Sequence, residues 1–255
     1  MKDYIYDGTF EGLLNCIYHH YYTDHANSIC TEDCYQANML CDFMRVETDE
    51  QKAQKVYDAI AGKISDYDLR SVYKAFLSSV PDKEMVILRY VVLGFSKGRS
   101  VSSLHGNSIV NDFQSILKKV GAETERMLQF VRFSVMEGGV LYAEVEPEHD
   151  VLELIHTHFC DRFRNDPFII RDVGRNKAMI AYQKHWYISE FGDDQVPKFS
   201  GEEAEYRKLW KTFFDNIAIK ERTNPRCQRN FMPERYWKHL TEMTQLPTQH
   251  SWLSE

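Results

Sequence analysis

Apolar positions along the chain follow two periods. Phe10, Leu13, Leu14, Ile17, Tyr18 and Tyr21 recur at the three- and four-residue spacing that lines one face of a helix. The run Tyr4 to Tyr6 before them reads as a short strand that enters the helix through Asp7-Gly8-Thr9. Asp7 or Thr9 can accept a hydrogen bond from the free amides at that helix start. From Asp24 to Val46 the period is weak and assigns no element. Ala53, Val56, Tyr57 and Ile60 mark a second helix, and Leu69, Val72, Tyr73, Phe76 and Leu77 a third. Met85 to Phe95 is apolar nearly all round, which predicts a buried helix. Gly94 to Gly106, rich in Gly and Ser, reads as a loop. Ile109, Val110, Phe113, Ile116, Leu117 and Val120 mark a further helix that continues towards Met127.

The period then changes from helical to alternating. Val131, Phe133 and Val135 alternate with Arg132 and Ser134, Glu137-Gly138-Gly139 is a turn, and Val140 to Glu146 alternates again, which predicts a hairpin. Val151, Leu152, Ile155 and Phe159 form a helix that also carries His156 and His158, with His149 read on its first turn. Phe168 to Arg171 and Lys177 to Tyr182 are two more strands, joined through Val173-Gly174-Arg175-Asn176. The expected fold class is therefore α+β, mainly helical with a central antiparallel ββαββ unit. In it Val131, Phe133, Leu141, Ala143 and Val145 face the helix of Ile155 and Phe159. Further on, Leu209, Trp210, Phe213, Phe214 and Ile217 form one apolar stripe, and Pro233 sits near the start of a final short helix. These patterns divide the chain into a mainly helical region 1–129, the sheet region 130–190 and a helical basic region 191–255, read together as one compact unit.

Composition narrows the class. Of 255 residues, 43% are hydrophobic and 27% charged, which is ordinary for a soluble globular protein. Fifteen Tyr, fifteen Phe and four Trp are too much aromatic surface to leave in water, which argues against disorder. The longest apolar run is broken by Arg89 and is too short to span a bilayer. The N-terminus lacks the basic and apolar regions of a signal peptide, so a cytoplasmic location is expected. In that reducing compartment the six cysteines are expected as free thiols. Cys30, Cys34 and Cys41 are the only cluster, and their C-x3-C-x6-C spacing matches neither zinc nor iron–sulfur patterns. They read as small core residues, with a metal site as the alternative, and no metal or cofactor is expected in this chain.

Charge is uneven. The chain carries a formal net charge of -7, yet Tyr206 to His239 holds nine basic residues against three acidic ones. Such a stripe can grip phosphates, or it can be a solvated helix face. Within it, Arg222, Asn224, Arg226, Gln228, Arg229, Arg235 and Trp237 interleave basic and polar groups with an aromatic, a combination suited to a nucleic acid strand. Upstream, Arg162 at a helix end and Arg171 and Arg175 flanking a hairpin turn can take phosphate oxygens, or pair with acids such as Asp172 to hold the turn. Asp7-Gly8-Thr9-Phe10-Glu11-Gly12 lacks the G-x4-G-K-[ST] pattern of a nucleotide-binding loop. No nucleophile elbow, zincin pair or zinc-deaminase signature occurs.

The C-terminal pattern Leu209-Trp210, Phe213-Phe214, Ile219, Glu221-Arg222, Asn224-Pro225, Gln228, Met232-Pro233, Arg235-Tyr236-Trp237 resembles a domain-of-unknown-function family of bacterial proteins assigned to DNA repair or DNA metabolism. The stretch from Asp7 to Gly12 and the middle segments Phe130 to Phe133, Glu146 to His149, Phe159, Arg162-Phe163 and Asp172 to Arg175 are similar as well. The resemblance implies a radical-SAM protein as partner, with any iron–sulfur or SAM chemistry belonging to that partner. Some members are fused to a uracil-DNA glycosylase domain; none is expected in this chain, so glycosylase activity is not implied by those fusions. The function expected on these grounds is a DNA-binding accessory to a radical-SAM repair enzyme. Two alternatives stay open: a nuclease or glycosylase using Asp7 and Asp172 as acids, and a protein-interaction module without DNA contact.

Overall fold

The structure, a computed structural model, describes residues 2–35, 42–183, 185–217, 219 and 224–243. The chain divides into two compact units, Met1–Gly121 and Ala122–Glu255. Both mix helices with a sheet.

The first unit is built on a parallel three-stranded sheet of order β2-β1-β3, with β1 (Lys2–Tyr6) central, β2 (Ala26–Thr31) and β3 (Phe43–Arg45). Asp3, Tyr4, Ile5 and Tyr6 of β1 are all buried, the mark of a parallel strand covered on both faces. Asp3 tolerates burial because its Oδ1 accepts from Asn27 Nδ2 at 2.9 Å and Ser28 Oγ at 2.7 Å. Helix α1 (Phe10–Tyr22) crosses from β1 to β2 and buries Leu13, Leu14, Cys16 and Ile17. Helices α2 (Glu50–Lys63), α3 (Asp66–Phe76) and α4 (Lys83–Lys97) follow, capped at their starts by Asp49 in α2 and Ser65 in α3. A 3-10 segment (Gly98–Ser103) leads to α5 (Ser108–Phe130), on which Phe113 stacks against Tyr90 of α4 at 3.8 Å between ring centres. The stretch Asp24 to Val46, which shows little period, thus holds the two outer strands of this sheet.

The second unit carries a five-stranded sheet of order β4-β5-β6-β7-β8: β4 (Ser134–Val135), β5 (Leu141–Val145), β6 (Phe168–Asp172), β7 (Lys177–Tyr182) and β8 (His185–Glu190). The expected ββαββ order is present, but the sheet is mixed, not antiparallel. Helix α6 (Leu152–Arg162) connects β5 to its neighbour β6, and a helical crossover between adjacent strands makes them parallel. The remaining pairs, β4–β5, β6–β7 and β7–β8, are antiparallel. Helix α5 also runs on to Phe130, and β4 keeps only two residues, so Val131 and Phe133 precede the strand. His149 lies ahead of α6, not on it.

Register sorts the two faces of this sheet. Phe168, paired with Leu141, meets Phe133 and Phe163, and Phe133 in turn meets Phe159 of α6. Leu141, Ala143 and Val145 therefore lie on the face that α6 covers. On the opposite face Met136, Tyr142, Ala178 and Phe191 form a second core. Glu144 and Arg171, paired in register, share that opposite face. The chain then enters α7 (Glu203–Ile217), the short α8 (Pro225–Phe231) and a 3-10 segment (Glu234–His239) that begins after Pro233.

Candidate functional site

The two carboxylates read as possible acids belong to different units, and both are engaged. Asp7 leaves the carboxyl end of β1, where its Oδ1 accepts from Thr9 N at 2.9 Å and Thr9 Oγ1 at 2.7 Å. Its Oδ2 accepts from Thr48 Oγ1 at 2.7 Å. Thr9 in turn caps α1 by accepting from Gly12 N. Burial acts to raise the Asp7 pKa, but these donors outweigh it and hold the carboxyl below its ordinary value. Asp172, fully buried, receives Arg175 Nη1 at 2.9 Å, while burial pushes its pKa up.

Three of the proposed phosphate-binding arginines are engaged by several protein acceptors, and among the described ones Arg171 alone is buried. Arg171 is buried, donates to Asp193 Oδ1 at 2.6 Å and lies 3.7 Å from Glu144. Arg175 donates to the carbonyls of Pro147 and Glu148 besides Asp172. Arg235 reaches Glu123 and Glu148, each at 3.1 Å. Trp237 is half-buried, and its Nε1 donates to the Met232 carbonyl at 2.9 Å. Asn224 caps α8, and on that helix Arg226 is exposed, Gln228 half-buried and Arg229 3.1 Å from Glu234. Arg162 is exposed at the end of α6, over the Phe163 ring. Arg222 and Cys41 lie outside the described residues. Cys30 sits in β2 and Cys34 in a 3-10 turn, so the two do not share a helix. Among the described residues, no group of three or more His, Cys, Asp or Glu side chains could hold a metal ion.

Glu123 of α5 carries no sequence signal, yet it ties the second unit together. Its carboxylate accepts from the backbone N–H of Glu148 at 2.8 Å and of His149 at 2.6 Å, from Tyr236 Oη at 2.7 Å and from Arg235. One buried acid thus holds the loop after β5 against the C-terminal 3-10 segment.

On the sheet face away from α6 the same segments enclose a polar cavity of about 310 Å³. Three cations reach its wall from separate elements: Arg132 after α5, Arg207 of α7 and Lys238 of the 3-10 segment. Each has a carboxylate partner, Glu242, Glu203 and Glu146 respectively, and none of these lines the cavity. The single acid on the wall is Glu144, whose Oε1 accepts from Tyr142 Oη at 2.8 Å. His239 contributes an imidazole whose Nε2 has no hydrogen-bond partner among the described residues. Burial, then the charge of Lys238, lowers its pKa and keeps it neutral at pH 7. Beside this cavity lies a more apolar recess of about 390 Å³ lined by Phe133, Val135, Tyr206 and Trp210, which shares Arg132, Arg207 and Thr241 with it.

The recess opens along α7, whose apolar stripe is not core. Leu209 is 64% exposed, Phe213 56% and Ile217 56%, and Tyr206 and Trp210 are exposed as well. Exposed Lys208 lies on the same helix, around its axis from these rings, with Lys211 one turn on. Spacing along the chain identifies α7 as amphipathic, but it cannot say that the stripe faces outward. Nor does any local motif link Arg132, Glu144, Arg207 and Lys238, which only the fold brings together.

No curated protein and no solved structure matches the chain. A family model, the domain of unknown function DUF4130, matches residues 81–242, well over half of the chain, and the chain belongs to that family.

Proposed function

We propose that this protein is a DNA-binding accessory in DNA repair or DNA metabolism, working beside a radical-SAM enzyme, and that it takes single-stranded DNA on α7. One observation carries the reading: exposed Tyr206, Trp210 and Phe213 share one helix with Lys208 and Lys211. Rings of this kind stack on bases of any sequence, while the cations follow the phosphates. This shifts the expected strand-binding surface from the run after Ile219 to the helix before it.

Anisotropy of a labelled single-stranded oligonucleotide, measured across salt concentrations, tests the reading. Trp210→Ala should weaken binding by about 1–3 kcal/mol, largely independent of salt. Replacing Lys208 and Lys211 with Ala should lower the log–log salt slope by about 0.7 for each phosphate that is no longer neutralised. Wild-type protein that binds no strand at low salt, alone or with its radical-SAM partner, would sink it. A second reading, a protein partner seated on the same stripe, is favoured by Leu209 and Ile217, whose aliphatic side chains do not stack on bases. A pull-down that recovers the partner without nucleic acid would select it.

A further inference from the structure

We infer that the polar cavity of the second unit is a binding site for one nucleotide whose base carries an exocyclic amino group. The inference rests on the DNA reading for the choice of a nucleotide among amphoteric ligands, and otherwise on the cavity itself.

The wall has two chemically distinct ends. At one, Arg132, Arg207 and Lys238 line the space while the carboxylates that pair with them stay off the wall, so that end offers N–H donors of three cations. Arg207 directs Nε to Glu203 and Nη2 to Ser134 Oγ, and its Nη1 has no protein partner among the described residues. An anion with several oxygens is the complement of such a fork. At the other end Glu144 accepts from Tyr142 through Oε1, and its Oε2 has no partner among the described residues. Buried Arg171 lies 3.7 Å from Oε1 and leaves Oε2 clear. An ionised carboxylate with one open oxygen asks for an N–H donor.

Between the ends, Val196 and Phe199 supply apolar wall, with the Arg207 guanidinium 4.9 Å from the Phe199 ring. A planar base fits against such a wall, its amino group on Glu144 and its phosphate on Arg207 and Lys238. Cytosine, adenine and guanine offer that donor, whereas thymine presents a carbonyl oxygen at the equivalent edge and would meet Glu144 acceptor to acceptor. A volume of about 310 Å³ lies at the small end of ligand-pocket sizes, which suits one nucleotide and excludes a duplex. The nucleotide can be free or part of a strand that continues into the recess beside Trp210, which shares Arg132 and Arg207 with the cavity.

Calorimetric titration of the full chain with dCMP, dTMP, deoxycytidine and inorganic phosphate tests this. We expect saturable binding of dCMP, about tenfold weaker binding of dTMP and of deoxycytidine, and phosphate weaker still. Glu144→Gln should erase the preference for dCMP over dTMP. Arg207→Ala should erase the preference for dCMP over deoxycytidine. Thermal melts show whether each variant folds. No heat from dCMP up to about 10 mM overturns the inference, as does phosphate alone binding as tightly as dCMP, or base preference unchanged in folded Glu144→Gln. Strand binding without mononucleotide binding overturns this site and leaves the DNA reading standing, and the reverse result removes the strand from α7 while keeping the cavity. A labelled strand with one unstacked cytosine that competes with dCMP identifies the strand as the source, and failure to compete identifies the free nucleotide.

Discussion

Glu123 shows how one residue can matter more to a fold than a run of charge. Burial alone would raise its pKa, yet the two backbone amides and the Tyr236 hydroxyl outweigh that and hold the carboxyl below its ordinary value. A carboxyl whose folded pKa is depressed contributes stability that is fully present above about pH 4.3, the unfolded value, and is lost as pH falls through the lower folded value. Glu123→Gln keeps the shape but offers one acceptor oxygen where the native group offers two. It should cost about 1–3 kcal/mol at pH 7 in urea unfolding. The gap between wild type and variant should close as the buffer is taken from pH 7 towards pH 3. A gap that stays constant across that range would mean the contribution is not ionic. Asp172 is the residue-scale lesson in the other direction: an Arg–Asp pair at a hairpin turn is equally consistent with phosphate binding and with a buried lock, and the structure places Arg175 on Asp172 and on two carbonyls.

At the scale of elements, the strongly periodic helices α1 to α6 are legible because each buries a stripe of its own side chains. The outer strands β2 and β3 are not, since β3 has three residues and β2 buries only two of its six. The direction of β6 is likewise hidden: alternation reveals a strand, while its partner and sense are set by the crossover through α6. Edge strand β8, largely exposed, escapes for the same reason as β2. Position 12 separates local preference from packing. Ala is favoured over Gly inside a helix by about 1 kcal/mol. At Gly12, however, an added Cβ would land against Asp7 Oδ1, 3.0 Å from the Tyr6 ring and 3.1 Å from Thr48 Oγ1. Asp7 cannot swing clear without giving up Thr9, and Tyr6 is buried. Overpacking costs about 1–3 kcal/mol, so Gly12→Ala should destabilise despite its helix propensity. A higher urea midpoint for the variant would show that the Asp7 loop yields freely.

Over the whole molecule the acidic balance and the basic C-terminal stretch coexist because they serve different surfaces. Several cations of that stretch pair with acids: Arg207 and Arg235 with the buried Glu203 and Glu123, and Arg229 and Lys238 with Glu234 and Glu146 nearer the surface. What the second unit presents outward is the α7 stripe, a contiguous run of large apolar groups of the kind that marks an interaction surface. No helix among the described residues is long and apolar enough to cross a membrane. The stripe's exposure leads to a separation that core packing would forbid. Leu209 and Ile217 are more than half exposed, so replacing both with Gln should change unfolding free energy by no more than about 0.5 kcal/mol at either position. Phe159, fully buried at the centre of the ring cluster on α6, should cost about 3–5 kcal/mol when replaced by Ala. If α7 engages a partner protein, the double Gln variant should abolish capture of that partner while its melting curve overlays the wild type. If α7 engages a strand through its rings alone, the same variant should keep oligonucleotide affinity, and only Trp210→Ala should weaken it. A double variant that melts several degrees early would mean that Leu209 and Ile217 are core positions, and the outward-facing stripe would fall with that result.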